Sequence, residues 1–117
     1  MRHRKEGRKF HRKRGGRQAL FKHLLENFFS HGRIFTTEAK AKEIRPRVER
    51  LISIAKKESL SGRRTLLRYL PKKTATKVYH EIAPRYSARR GGYTRITKSS
   101  LARKGDGSRM AVLDLID

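Results

Sequence analysis

The sequence predicts an α+β domain with a basic N-terminal extension. Three observations carry this. A long amphipathic helix follows a short apolar strand. Two further strands close the chain after a glycine turn. The first 17 residues hold nine Lys/Arg against a single acid.

The long helix is the clearest element. In IFTTEAKAKEIRPRVERLISIAKK, Ile34 to Lys57, Ala41, Ile44, Val48, Leu51, Ile52 and Ala55 recur at helical spacing and share one face. Lys42, Glu43, Arg50, Ser53 and Lys57 take the other. The Thr37 hydroxyl is placed to accept an orphan backbone N–H of the first turn. Pro46 falls on the polar face, where a lost hydrogen bond is replaced by solvent, so one bent helix is expected and not two short ones.

Before it, residues 17–31 read as a helix. Leu20, Phe21, Leu24 and Phe28 form a stripe, and Leu25 and Phe29 widen it to about half the circumference, beyond a one-sided stripe. Cover on two sides is expected, with contact of Phe29 or Leu25 to a partner protein as the alternative. Gly32 is a C-cap signal, and Arg33–Thr36 starts the first strand. After the long helix, SLSG at 59–62 is a break with capping serines. A third helix follows over Ser61–Leu70, with Leu66, Leu67 and Leu70 as its apolar positions. Pro71 opens a fourth helix. There Ala75, Val78 and Ile82 share a face flanked by Tyr79, and Pro84 is expected to end it.

The period then changes. Gly91–Gly92 marks a turn. Tyr93–Lys98 alternates, with Tyr93, Arg95 and Thr97 on one face and Thr94, Ile96 and Lys98 on the other. A Gly105-Asp106-Gly107 loop leads into a last strand, Met110–Ile116, and the two strands suit an antiparallel hairpin.

Charge narrows the function. The 117 residues carry 32 Lys+Arg against 10 Asp+Glu, a formal net charge of +22. A small body of that charge repels itself and sits comfortably only beside a polyanion. Nucleic acid is the first candidate and an anionic membrane surface the second. Residues 1–17 hold nine Lys/Arg and one acid, Glu6, with Phe10 the only large apolar side chain after Met1. Such a segment buries too little to order itself and reads as an arm that orders in a groove of nucleic acid. A second cluster, Arg85 to Lys104, has seven Lys/Arg and no acid. Tyr93 among those arginines has two readings: it stacks on an exposed base, or it is half core and half surface.

Other chemistry is poorly supported. There is no cysteine, hence no disulfide or thiolate site. The five histidines show no metal-ligand spacing, the acids are scattered singly, and the glycines at 15–16 and 91–92 match no nucleotide-binding fingerprint. An enzyme and a cofactor are therefore not expected. No run of about 18 apolar residues is present, and no signal-peptide core follows the basic start, so the chain is expected to remain in the cytoplasm. The basic stretches form no long amphipathic helix of the membrane-surface type. A nucleoid-type DNA-binding protein is the alternative, although no helix-turn-helix, zinc-finger or basic-zipper pattern appears.

Several stretches together resemble one family. MRHRKEGRKFHR at the start, IFTTEAKAKEIRPRVERLISIAKK, RYSARRGGYTRITK and the later MAVLDL stand in the order found in the bacterial large-subunit ribosomal protein of the seventeenth family. The resemblance spans essentially the whole chain. It implies a two-layer α/β body, with a small three-stranded sheet packed by about four helices. An extended arm at 1–17 would be joined to one compact domain at 18–117. It also implies binding to large-subunit rRNA and a structural role in subunit assembly and translation. Its implied partners are neighbouring large-subunit ribosomal proteins near the polypeptide exit side, with no small-molecule substrate and no membrane. The family's arm maps onto Arg2, His3, Arg4, Lys5, Arg8, Lys9, Arg12, Lys13, Arg14 and Arg17. Its hairpin maps onto Arg89, Arg90, Gly91, Gly92, Tyr93, Thr94 and Arg95, and Arg85 and Lys98 of the same basic stretch join the candidate rRNA-binding set.

Overall fold

A computed structural model describes Phe10 and residues 12–116. Helix α1 spans Arg14–His31, strand β1 Arg33–Thr37, α2 Glu38–Lys56 and α3 Leu60–Tyr69. A fourth helical segment begins as α4 (Lys72–Lys77), widens into a π turn at Val78–Ile82 and finishes as α5 (Ala83–Arg85). Strands β2 (Thr94–Ala102) and β3 (Arg109–Leu115) complete an antiparallel sheet of order β1-β3-β2. The α+β class and the three strands agree with the sequence reading.

The long helix forms as its pattern dictates. Ala41, Ile44, Val48, Leu51, Ile52 and Ala55 are all buried. Thr37 Oγ1 accepts from Lys40 N at 3.3 Å. Pro46 lies inside one uninterrupted helix with its ring exposed, because on that face water can satisfy the carbonyl left without a partner. Helix α2 packs against β3, whose Ala111 and Leu113 face it fully buried. Cross-strand register puts Ile34 and Ile96 on either side of Leu113, so this row forms the covered face of the sheet. Phe35, Val112 and Thr97 form the next row on the opposite face, where Phe35 is 64% exposed.

Helix α1 is covered on two sides, as its wide stripe requires. Phe21, Leu24, Leu25, Phe28 and Phe29 are buried against α2, α4 and β1. Leu25 and Phe29 therefore belong to the core, and the partner-contact alternative for them is corrected. Gly32 closes the helix at φ 77°, with its N–H donating to Phe28 O at 2.7 Å, the left-handed C-cap that glycine adopts without strain.

Four features depart from the sequence reading. Helix α1 starts at Arg14 and not near residue 17, so Gly15 and Gly16 are helical. The first turn is closed by Arg17 N–H to Lys13 O at 2.9 Å, and further along the helix the Phe10 ring meets Phe21 edge-on at 6.1 Å. Leu67 is 52% exposed, and only Leu66 and Leu70 of that stripe are buried. Pro84 does not end its helix. The π turn hands the Ala83 N–H to Val78 O, five residues back, and Pro84, which has no N–H, enters at the start of the next turn, where none is needed. Finally, β2 runs on to Ala102 past a register shift between Lys98 and Ala102.

Gly62 lies in the first turn of α3, inside the helix expected over Ser61–Leu70. Ser59 caps the helix by accepting from Gly62 N at 3.0 Å. A Cβ there would lie 2.9 Å from Ser59 Oγ and 3.1 Å from the Ile54 carbonyl of α2. Gly62→Ala is therefore expected to lower the urea midpoint. Overpacking costs roughly 1–3 kcal/mol, and the better helix propensity of alanine returns only about 1 kcal/mol. A midpoint equal to or above that of the parent would show that α2 and α3 are not in close register.

Candidate nucleic-acid interface

The second basic cluster sits on a loop fastened to the core. After α5 the chain turns through residues 86–93 to enter β2. Tyr86 is buried and its hydroxyl donates to Ile116 O at 2.5 Å. Tyr93 is 1% exposed, with its ring 5.3 Å from that of Tyr86. Lys56 Nζ, 4.8 Å from the Tyr93 ring centroid, donates to Tyr93 Oη at 2.8 Å and to the Arg89 carbonyl. Burial opposes ionisation of the Tyr93 phenol, but hydrogen bonds with Lys56 and Ser53 and the Lys56 charge outweigh it and lower its pKa.

Glu49 of α2 makes the central fastening. Its carboxylate accepts from Tyr93 N at 3.0 Å, from Thr94 N at 3.0 Å and from Thr94 Oγ1 at 2.7 Å. Arg45 Nη2 donates to Thr94 O at 3.3 Å. One helical turn of α2 therefore grips the first residue of β2 and the residue before it. Sequence reasoning missed Glu49, Arg45 and Lys56. The contacts span 33 to 49 residues, and nothing local marks these three among the polar positions of α2.

What this holds out to solvent is positive. Arg85, Arg89, Arg90, Gly91, Gly92 and Arg95 are exposed. Arg89 Nε donates to Gly91 O at 3.2 Å, which shapes the tip, and Gly92 has φ 65°, a conformation suited to glycine. Among the described residues no carboxylate lies within ion-pair distance of Arg89, Arg90 or Arg95. Lys98 is different. It lies 3.5 Å from Glu38, which also pairs with Lys42 at 2.8 Å, and these contacts hold the Glu38 carboxyl below its ordinary range.

Tyr93 is not a surface residue. Strand alternation would put it beside Arg95 and Thr97, but it stands just before β2 and turns into the core under the loop. With Tyr86 and Lys56 against its ring, it offers no face for a base to stack on in this structure; its contacts instead position the Arg89–Arg90 tip.

Of the arm residues, Arg2, His3, Arg4, Lys5, Arg8 and Lys9 lie outside the described residues. Arg12, Lys13 and Arg14 are exposed and Arg17 is half-buried, all at the start of α1. No side chain caps this helix start and no acid occupies its first turn. Cations next to the positive end of a helix dipole are unfavourable until an anion arrives. The exposed side of α2 connects the two basic regions. Arg47 lines a cleft with Arg14 and Arg17, Arg47 and Arg50 line the next, and Arg45 and Arg50 line a groove beside Gly91 and Gly92. Among the described residues no group of His, Asp or Glu is arranged to hold a metal ion, and no helix is long and apolar enough to cross a membrane.

Comparison with known proteins decides the family. The family model described as Ribosomal protein L17 matches residues 20–116. The chain belongs to the ribosomal protein L17 family. The large ribosomal subunit protein bL17 of Thermus thermophilus is 46% identical over 118 residues, covering both chains completely. That of Persephonella marina is 45% identical over 119 residues, covering all of this chain and 96% of its own. That of Halothermothrix orenii is 48% identical over 102 residues, or 86% of this chain and 89% of its own. The L17 family assignment brings a structural ribosomal role and no enzymatic one. The matched region contains the Glu49 fastening and the basic loop, and the full-length relatives extend the similarity through the arm.

Proposed function

We propose that this chain binds large-subunit rRNA, with residues 1–17 as the basic arm, its segment before Arg14 ordering in the RNA and its last residues already forming the first turn of α1, and residues 18–117 as the body that positions it. The observation that carries this reading is the Arg89–Arg95 tip: exposed guanidinium groups, without carboxylate partners among the described residues, on a loop that Glu49 and Lys56 fix to α2. Flexible surface cations would lose entropy on meeting phosphates, whereas a fastened loop has already lost it. Arginine suits the task because its planar fork matches phosphate oxygens in pairs. The contact set comprises Arg2, His3, Arg4, Lys5, Arg8, Lys9, Arg12, Lys13, Arg14 and Arg17 of the arm with Arg85, Arg89, Arg90, Arg95 and Lys98 of the body. Tyr93 acts through the loop and not by touching RNA. In the assembled subunit the protein sits near the polypeptide exit side, against neighbouring large-subunit proteins, and supports assembly.

Titration with transcribed large-subunit rRNA at several salt concentrations tests the reading. The logarithm of affinity is expected to fall linearly with the logarithm of salt. Replacing Arg89, Arg90 and Arg95 together by alanine should lower the slope by roughly 2 to 3, at about 0.7–0.9 per phosphate contact. A salt-insensitive affinity, or equal affinity for B-form DNA of the same length, would contradict it; equal affinity would favour the nucleoid-type alternative.

A further inference from the structure

Between α1, α2 and α3 lies a cleft of about 560 Å³, within the size range of small-ligand sites. Four arginines and a lysine line it against one carboxylate, Glu43, together with Phe21, Leu25 and Tyr69. The cations come from different elements: Arg14 from the start of α1, Arg47 from the middle of α2, Arg68 from the end of α3. The cleft thus exists only in the folded body, which is why no sequence window reveals it.

Two of its groups present flat π surfaces. The Arg47 guanidinium lies over the Phe21 ring, with its carbon 4.2 Å from the centroid. That contact holds one side of the group while the residue as a whole remains exposed. Tyr69, 38% exposed, ends α3 at the same cleft and also lines the adjoining one with Arg47. A guanidinium plane and a phenol ring at one concave site, with arginines around them, combine the two parts that recognise an unstacked nucleotide: a surface for the base and cations for the phosphates. A duplex phosphate ridge would use the cations and leave the concavity and the ring without a role.

We propose that this cleft receives one unpaired nucleotide of RNA, with its base stacked against Arg47 and Tyr69 and its phosphates held by Arg14 and Arg68. The proposal rests on the rRNA-binding reading above and adds a second site to it, separate from the Arg89–Arg95 tip. The tip reads charge; the cleft selects a place in the RNA where a nucleotide is free to leave its stack.

The test uses the full chain, transcribed large-subunit rRNA, affinity measured across salt, and chemical probing of the RNA at nucleotide resolution. Tyr69→Ala should weaken binding about 5- to 100-fold with the salt slope unchanged, since stacking releases no counterions. It should also expose one unpaired nucleotide that the parent protects. Tyr69→Phe, which keeps the ring, should bind like the parent and keep that protection. Arg68→Ala, at an exposed position, should lower the salt slope by about 1. Thermal melts check that each variant is folded, and Tyr69→Leu, which keeps apolar bulk but not the ring, takes the place of Tyr69→Ala with the same expected outcome if the alanine variant is not. If Tyr69→Ala and Arg68→Ala bind and protect as the parent does while the triple arginine variant of the tip is weakened, the cleft proposal is wrong and the rRNA reading stands. If the parent itself shows no salt-dependent binding, both are wrong.

Discussion

Glu49→Ala is expected to release the basic loop from α2 and to cost on the order of 3 kcal/mol of stability, since removing the carboxylate strands two backbone N–H groups and the Thr94 hydroxyl, each worth roughly 1–3 kcal/mol less whatever water recovers. Urea unfolding should show a lower midpoint, and the amides of Tyr93 and Thr94 should exchange faster than those of β3. Glu49→Gln keeps an acceptor oxygen but turns an amide N–H toward a donor, so its loss should fall between the parent and the alanine variant. The effect on RNA binding separates two explanations. Removing an acid makes the protein more positive, so simple charge attraction predicts tighter binding. Positioning of the Arg89–Arg90 tip by Glu49 predicts weaker binding with a smaller salt slope. Tighter binding by a folded Glu49→Ala variant would show that the loop needs no fixed geometry.

Removal of residues 1–13 is expected to have the largest effect on affinity. The segment carries seven Lys/Arg. If each meets a phosphate, the salt slope falls by up to about 5 to 6, and affinity near physiological salt drops by two or more orders of magnitude. The body should still fold, because the buried face of α1 begins at Phe21 and the lost Phe10–Phe21 ring contact is worth only about 0.5–1.5 kcal/mol beyond its area. Circular dichroism and a two-state urea transition check this independently of RNA. A truncated protein with the parent's slope would assign the arm a role other than phosphate neutralisation.

The elements legible in the sequence were those with a complete local signal. Helix α2 has a periodic apolar face, a capping threonine and a proline on the wet side, and all three behave as their local chemistry requires. Helix α1 was legible through its unusually wide stripe, and its C-terminus through Gly32. The misread features depend on distant partners. Gly15 and Gly16 fall within the basic arm at 1–17 in the sequence, yet they lie in the first turn of α1. Pro84 looks like a stop until the helix widens before it. Tyr93 alternates with Arg95 in sequence, yet Tyr86, Lys56 and Glu49 draw it inward from just before the strand. The same applies to the interface. The arginines were legible as a run without acids. Their fastening was not, because Glu49 is one of three acids on α2, nothing local sets it apart from Glu38 and Glu43, and its partners lie 44 and 45 residues away. Gly62 stood where the SLSG break and the third helix overlap, and only the approach of α3 to the Ile54 carbonyl gives its missing side chain a packing reason.

Fractionation of cell lysate on sucrose gradients, before and after the subunits are separated at low salt, tests the central claim most directly. Integral binding to large-subunit rRNA predicts that the chain migrates with the large subunit and stays there when the subunits part. Loss to the top of the gradient, or migration with DNA, would contradict that account.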